Sequence, residues 1–498
     1  MTRENVMRSI LLLIIFAISG FLGVASGNYL IAGMYILTVL IAVIFVVRDK
    51  GLYNVLYGVL LVSAFYDYSL YVPGRENVYM FHIVLGIFTL VSLYKAFKDR
   101  DVFENIDKKI LAIYAIWFIY ACISILWALN RSLSVKYIAI YLMMFAFIVD
   151  MMIYNVNKER INRTINLLLF LISLIIIIGF TEVLLGQQLP IKHYIDGFRD
   201  SLPEWQINTI AARPMAFSFN TNNLTATLAI LSPLCMFAIY KFENMLTKIW
   251  FTIASCAAFS LVVITTSRTG FFAFLFGFAV FIIYTIINIK NLGIRQVIFP
   301  LILIGGFVLA FNYSILLMHI KPSAIEPGGT SLTGKLHSLE DFTEGEVSEE
   351  GSTLHRMEII KTVLNGIIKD KQYQGYSVGN VEQLLKDRGN TGSVYSPHAY
   401  PIEILGDFGI PGIVLYGVYY LYLLISNLII GIKKRSIMCF AAVAGLIAFA
   451  PASFGPSSIT YVFSYWILIG FAVACIQVYK RENNGYRSSN GIKEYRLI

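Results

Sequence analysis

Long apolar runs follow one another along almost the whole chain, and this succession leaves few folds open. Each run is roughly 17–24 residues long, enough to cross about 30 Å of hydrocarbon as a helix. Inside lipid every backbone polar group must be satisfied within the protein, which leaves helices or a closed barrel. The runs are continuous, without alternation of period two, and so select helices. Of the 498 residues 57% are hydrophobic and 14% are charged, against about 25% charged in an ordinary soluble domain. The expectation is an all-α, polytopic integral membrane protein of about 12–14 transmembrane helices, with 1–498 forming a single membrane domain. Candidate spans lie near 10–26, 29–47, 51–70, 77–96, 109–129, 134–154, 164–186, 217–240, 248–266, 270–288, 297–318, 408–430, 438–455 and 459–478. The first could pass for a signal peptide, but a second run follows at once and it reads as a retained span.

Lys and Arg gather at 48–50, 95–109, 158–163, 241–248, 290–295, 433–435 and in the tail from 480. With a cytoplasmic N-terminus all of these fall on the cytoplasmic side, as the positive-inside rule expects. The net charge of +9 is then a matter of topology, and nucleic acid is not expected. Both termini are expected in the cytoplasm of a cell membrane, with 480–498 as a cytoplasmic tail. Three longer connections fall outside, at 66–77, 186–213 and 319–400. The last is the one large extracytoplasmic loop. Its first half is rich in Gly, Ser and Glu. In its second half Leu354, Met357, Ile360, Val363, Leu364, Ile367 and Ile368 recur at helical spacing, giving an amphipathic helix at about 353–370. The five cysteines fall within spans and suggest neither disulfides nor a zinc site.

Chemistry-bearing residues crowd the outer ends of the spans. Arg213 precedes an Asn-rich stretch containing Asn223. Arg268 stands between two apolar runs, and Arg356 lies on the loop helix. A guanidinium near membrane depth is costly unless it snorkels or binds an anion, and it grips phosphate in a bidentate fork. His398 sits where the long loop returns to apolar sequence, followed by Glu403 and Asp407. A neutral imidazole there can take a proton from an attacking hydroxyl. Tyr66, Asp67 and Tyr68 at the end of the third run read as an aromatic belt. Three lookalikes are set aside. GTSLTGK at 329–335 has Walker spacing but no Ser/Thr after its Lys. Asp99–Asp101 resembles a metal-binding Asp-x-Asp within a solvated charge run. Asp407-Phe408-Gly409 copies a kinase tripeptide and nothing else of a kinase.

Three stretches together resemble the O-antigen ligase and polymerase family of bacterial surface-polysaccharide enzymes. They are RPMAFSFNTNNLTATLAILSPL from Arg213, TTSRTGFFAFL around Arg268, and HRMEIIKTVLNGIIKDKQYQGYSVGNVEQLL followed by SPHAYPIEILGDFGIPG around Arg356 and His398. The sequence departs from the family where Ala399, in place of Asn, follows the His. The resemblance implies transfer of a glycan from an undecaprenyl-diphosphate-linked oligosaccharide on the outer leaflet to a hydroxyl of an acceptor glycan. It implies no cofactor, no nucleotide sugar and no metal. On that analogy His398, Arg268 and Arg213 are catalytic, Arg356, Asn223 and Glu403 bind substrate, and the two guanidinium groups and the imidazole of the catalytic set converge in one outward-facing pocket. Polymerisation of repeat units is favoured, in the manner of teichuronic-acid or capsule polymerases, with contacts to membrane lipid and to a flippase or chain-length regulator. Ligase-type transfer to a different acceptor remains an alternative. So does a flippase or transporter without chemistry, although that class normally carries mid-span charges and an internal repeat. A receptor would need a cytoplasmic output domain, which the sequence lacks.

Overall fold

The computed structural model describes residues 3–47, 51–98, 106–197, 200, 204–318, 352–389 and 395–481. The 340–350 acidic stretch, the Walker-like 329–335 segment, Asp99–Asp101 and the tail beyond 481 lie outside these residues. Among the described residues twelve helices are long and apolar enough to cross a membrane, and two shorter apolar helices, Leu52–Phe65 and Ile437–Ala452, accompany them. Each of the fourteen expected spans meets one of these helices, so the chain is an all-α, multi-pass membrane protein.

In chain order the helices are α1 (Arg3–Ser26), α2 (Tyr29–Ile41), α3 (Leu52–Phe65), α4 (Met80–Lys98), α5 (Lys108–Ser124), α6 (Arg131–Tyr154) and α7 (Lys158–Leu185). There follow α8 (Glu204–Ala211), α9 (Thr221–Lys241), α10 (Met245–Ile264), α11 (Arg268–Ile287), α12 (Ile298–Tyr313), α13 (Ser352–Ile368), α14 (Val381–Arg388), α15 (Tyr400–Lys434), α16 (Ile437–Ala452) and α17 (Phe463–Arg481). The third span was expected to run to residue 70. Its helix stops at Phe65, and the chain turns through Pro73 and Gly74 into a two-stranded antiparallel hairpin, β1 (Tyr71–Val72) and β2 (Arg75–Tyr79).

The centre of the bundle is α9, buried from Asn223 to Tyr240. It is clasped by α16, whose Ala441, Ala442, Ala444, Gly445 and Ala448 let backbones approach closely. A Cβ on Gly445 would lie 2.7 Å from the Ile230 carbonyl oxygen and 2.6 Å from Leu468 Cδ1. Peripheral helices turn apolar side chains outward, as lipid contact requires: Leu13 and Phe21 on α1 are each 66% exposed. Helices alternate in direction, so the ends at Phe65, Met80, Arg131, Leu185, Thr221, Arg268, Tyr400 and Phe463 share one face. Lys98, Lys108, Lys158, Lys241 and Lys434 end or begin helices on the other.

Outside the bundle, on the face that carries His398, α13 and α14 pack against the first turns of α15. They form a small core of Ile359, Val363, Ile367, Tyr376, Val381, Leu384 and Leu385. The buried seam of α13 is Ile359–Val363–Ile367, one residue every four. It is narrower than the sequence stripe suggests: Met357 (53% exposed) and Ile368 (64%) point away from it. Gly406 of α15 is the seat of this packing, since a Cβ there would meet Val381 Cγ2 at 2.3 Å and Val363 Cγ1 at 3.3 Å.

The span expected from residue 408 begins as a helix at Tyr400, with a Pro in its first turn. It is broken at Gly409 (φ 65°, ψ −156°), a conformation open to glycine. The break lets Tyr373 O accept from Ile410 N at 2.8 Å. A Cβ at Gly409 would sit 2.0 Å from that same Tyr373 oxygen. Gly409→Ala is therefore expected to cost about 1–3 kcal/mol or more. It should appear as a lowered thermal midpoint of the detergent-solubilised protein, and an unchanged midpoint would refute the assignment of the break.

Candidate functional site

His398 lies in an extended segment that pairs with the α16–α17 connection. His398 N–H donates to Ser457 O (3.2 Å), Tyr400 N–H donates to Ser453 O (3.2 Å), and His398 Nδ1 lies 3.5 Å from Gly455 O. Its own φ is +48°, a left-handed value rare for a side-chain-bearing residue and typical of strain held at working sites. Burial pushes the imidazole pKa below the ordinary 6.5, the charge of Arg356 pushes it further the same way, and the Gly455 and Pro456 carbonyls oppose both. The balance favours the neutral ring.

Arg356, in the first turns of α13, is held below the usual guanidinium value by burial and then by the neighbouring charge of Arg268. Arg268 opens α11, next to Thr269, whose Oγ1 would be 3.0 Å from a Cβ on Gly455. Arg356 thus lies within electrostatic reach of both Arg268 and His398. The charge of Arg268 disfavours that of Arg356, and Arg356 in turn favours the neutral form of His398.

Arg213 is placed by a different set of contacts. The Glu182 carboxylate accepts from Leu189 N (2.7 Å), Met215 N (2.8 Å) and Ala216 N (2.7 Å), while Gln188 Nε2 donates to Ile210 O (2.9 Å) and Arg213 O (2.8 Å). The Arg213 loop is clamped between them. Its Nε is buried with no hydrogen-bond partner, and burial lowers its pKa.

Beside the Gly455 turn opens a cavity of about 650 Å³. Of the six residues singled out in the sequence, Asn223 and Glu403 are in its wall; Arg213, Arg268, Arg356 and His398 are not among the described lining residues, although Ser396 and Pro397, just before His398, are. The sequence-selected groups therefore do not share one pocket: Arg356 lies near Arg268 and His398, Asn223 and Glu403 line the cavity, and Arg213 sits apart in its own clamped loop. Asn223 is in the first turn of α9, where Asn220 Oδ1 caps the helix by accepting from Asn223 N at 2.9 Å. Glu403 is 4% exposed, and its carboxylate is held by Ser458 Oγ (2.6 Å to Oε1), Thr460 Oγ1 (3.2 Å to Oε1) and the Ile459 backbone N–H.

Sequence reading missed most of this wall. Lys136, Tyr137 and Tyr461 line it, with Lys136 Nζ 5.9 Å from the Tyr137 ring centre and 5.8 Å from that of Tyr461. Their signal was faint, because each sits alone among apolar or Ser-rich neighbours. The role of Asp407 also went unread. Its carboxylate accepts from Gly379 N (2.7 Å) and Val381 N (3.0 Å). Asn380 takes the Asn130 N–H on Oδ1 (2.6 Å) and donates to Ser134 Oγ (2.7 Å). Ser377 Oγ bridges Ser124 (2.9 Å) and Ser134 (2.8 Å). The GYSVGN segment is thus a clamp that fastens the outer loop to α5, α6 and α15. The side chain of Asp67 lies outside the described residues.

Residues 253–417 match the O-antigen ligase family. Over 479 residues the chain is 22% identical to the teichuronic acid biosynthesis protein TuaE of Bacillus subtilis (strain 168), covering 93% of this chain and 91% of that protein. The matched segment starts in α10 and ends in α15, and so takes in Arg268, Arg356, His398, Glu403 and Asp407. The chain is thus similar to the O-antigen ligase family over residues 253–417 and, more distantly, to a teichuronic acid biosynthesis protein along most of its length.

Replacing Arg356 by Gln should raise the His398 pKa toward 6.5, because a positive neighbour that disfavours protonation is removed. Histidine-selective NMR titration of the wild type and of Arg356→Gln in nanodiscs measures this. An unmoved His398 resonance would show that the two groups are not in contact.

Proposed function

We propose that the chain transfers a glycan from an undecaprenyl-diphosphate carrier to a sugar hydroxyl of an acceptor, and that it polymerises repeat units of a surface polysaccharide. The observation that carries this reading is the adjacency of Arg268, Arg356 and a neutral His398. The reaction needs stabilisation of a departing lipid diphosphate and a base for the incoming hydroxyl. Arg268 and Arg356 hold the diphosphate, and Arg213 offers a further guanidinium from its clamped loop. The bond from the anomeric carbon to the diphosphate oxygen breaks as the acceptor oxygen bonds to that carbon. The hydroxyl proton passes to His398. With Gly455 O facing Nδ1, the ring keeps its proton on that nitrogen and presents Nε2 as the base. Asn223 and Glu403 contact the sugars.

The face bearing His398 is assigned to the exterior of the cell membrane, and both termini to the cytoplasm, because Lys98, Lys108, Lys158, Lys241 and Lys434 mark the opposite face. Substrate on that face would be delivered by a flippase. Polymerase is preferred over ligase because similarity to the teichuronic acid biosynthesis protein extends along 93% of the chain.

His398→Ala should lower polymer formation by about 10²-fold or more while the thermal midpoint stays near wild type. Assay of the purified protein with a lipid-diphosphate oligosaccharide measures it, and near-normal chain growth would remove His398 from the chemistry. Arg268→Lys keeps the charge and loses the fork. It should cut the same activity at least tenfold, about 1.4 kcal/mol of transition-state stabilisation; full activity would point to simple snorkelling.

A further inference from the structure

Besides the seam it buries, α13 has a second apolar face. Met357, Leu364 and Ile368 fall at helical spacing on one stripe, on the side away from Ile359, Val363 and Ile367. All three are exposed among the described residues, and Lys361 stands exposed within the same stripe. A contiguous apolar strip on the outside of a folded segment marks a surface that meets a protein or a membrane.

The turn after α13 indicates which. Gln372 N–H donates to Gly366 O (3.2 Å) and Gly375 N–H to Gln372 O (2.9 Å), so Tyr373 is wound back against the last turn of the helix. Tyr373 O accepts from Ile410 N (2.8 Å), and Tyr120 Oη of α5 donates to Gln374 O (3.0 Å) and Phe408 O (3.1 Å). The turn is therefore wedged between α5 and α15, two helices of membrane-spanning length. Beside it those helices expose apolar side chains as lipid contact requires: Ile119 and Ile123 on α5, Ile410 and Val414 on α15. Tyr373 is exposed too, so the stripe of α13 continues the lipid-facing surface of the bundle. The charge around the stripe suits lipid phosphates. Glu358 is paired with Lys361 (3.4 Å) and Asp370 with Arg388, which leaves Lys369 and Lys371, both exposed, as the surplus charge of this segment.

We propose that α13 is seated on the membrane surface, on the side that carries His398. Met357, Leu364, Ile368 and Tyr373 enter the interfacial layer, and Lys361, Lys369 and Lys371 reach the phosphates of anionic headgroups. Such a helix sinks its apolar face about 5–10 Å into the boundary between headgroups and acyl chains and gains from basic residues beside anionic lipid. The inference stands apart from the glycan-transfer reading. It bears on the same cluster, because Arg356 directly precedes Met357.

The test places a nitroxide on single introduced cysteines in the full chain, in nanodiscs. Cys122 and Cys256 are replaced by Ala, and the three buried cysteines are kept. Leu364→Cys and Ile368→Cys are compared with Val414→Cys on α15 and Lys386→Cys on α14, each checked by melting. Collision with oxygen, which concentrates in lipid, and with a neutral nickel chelate, which stays in water, reads the depth of each label. Labels at 364 and 368 should favour oxygen as the label at 414 does, and the label at 386 should favour nickel. When phosphatidylglycerol replaces phosphatidylcholine, the oxygen-to-nickel ratio at 368 should rise about twofold or more. Lys361→Gln, Lys369→Gln and Lys371→Gln together should remove that rise. A water-like ratio at 364 and 368 overturns the proposal. Low access to both reagents does so too, since it puts protein over the stripe, either residues 319–351 or a second copy of the chain. Equal depth in the two lipids overturns the headgroup assignment. The unaltered chain gives a second reading: a phospholipid with a diazirine near the glycerol end of its acyl chain should label peptides covering 356–374, and their escape from labelling would refute the seating.

Discussion

The carboxylate of Asp407 receives two backbone N–H groups from the outer loop, Gly379 and Val381, and the arrangement outside the bundle depends on that pair. A carboxylate removed from water must be repaid in hydrogen bonds, and here the donors are backbone groups at the entry to α14. The tie holds the loop against the first turns of α15. Tyr376 N–H to Gly406 O (2.8 Å) and Ile410 N–H to Tyr373 O (2.8 Å) extend it along the Gly409 break. The seated loop supports α13, which carries Arg356.

In the cluster so assembled, burial and the charge of Arg268 disfavour the charged form of Arg356, and burial and Arg356 favour the neutral form of His398. Strain at His398 and the orphaned Nε of Arg213 point the same way. These are costs that a large apolar bundle can carry. Coulombic, steric and hydrogen-bonding tension all gather on one face, while the helical core beneath it is closely packed.

The spans were legible because hydrocarbon thickness imposes a length and a composition that no soluble helix needs. Arg268, Arg356 and His398 were legible because charged or titratable residues stand out beside apolar runs. The cavity wall was legible only in part: Asn223 and Glu403 were singled out, whereas Lys136, Tyr137 and Tyr461 look like ordinary interfacial residues. The hairpin after α3 was hidden by its length, two residues against five, too short for period-two alternation to register. The seam of α13 was over-read, since helical spacing gives a candidate stripe but not its width. The GYSVGN segment resembled a family motif without disclosing its purpose, which is to fasten a loop to three helices through hydroxyls and amides far away in sequence.

Gly406 shows how far a small group can act. The space that would hold its missing methyl is already filled by Val381 and Val363, and Val363 lies two turns of helix from Arg356. Any side chain at this position would wedge α13 outward and carry its guanidinium with it. The electrical character of the outer surface is therefore set partly by a residue with neither charge nor polarity, through steric leverage alone.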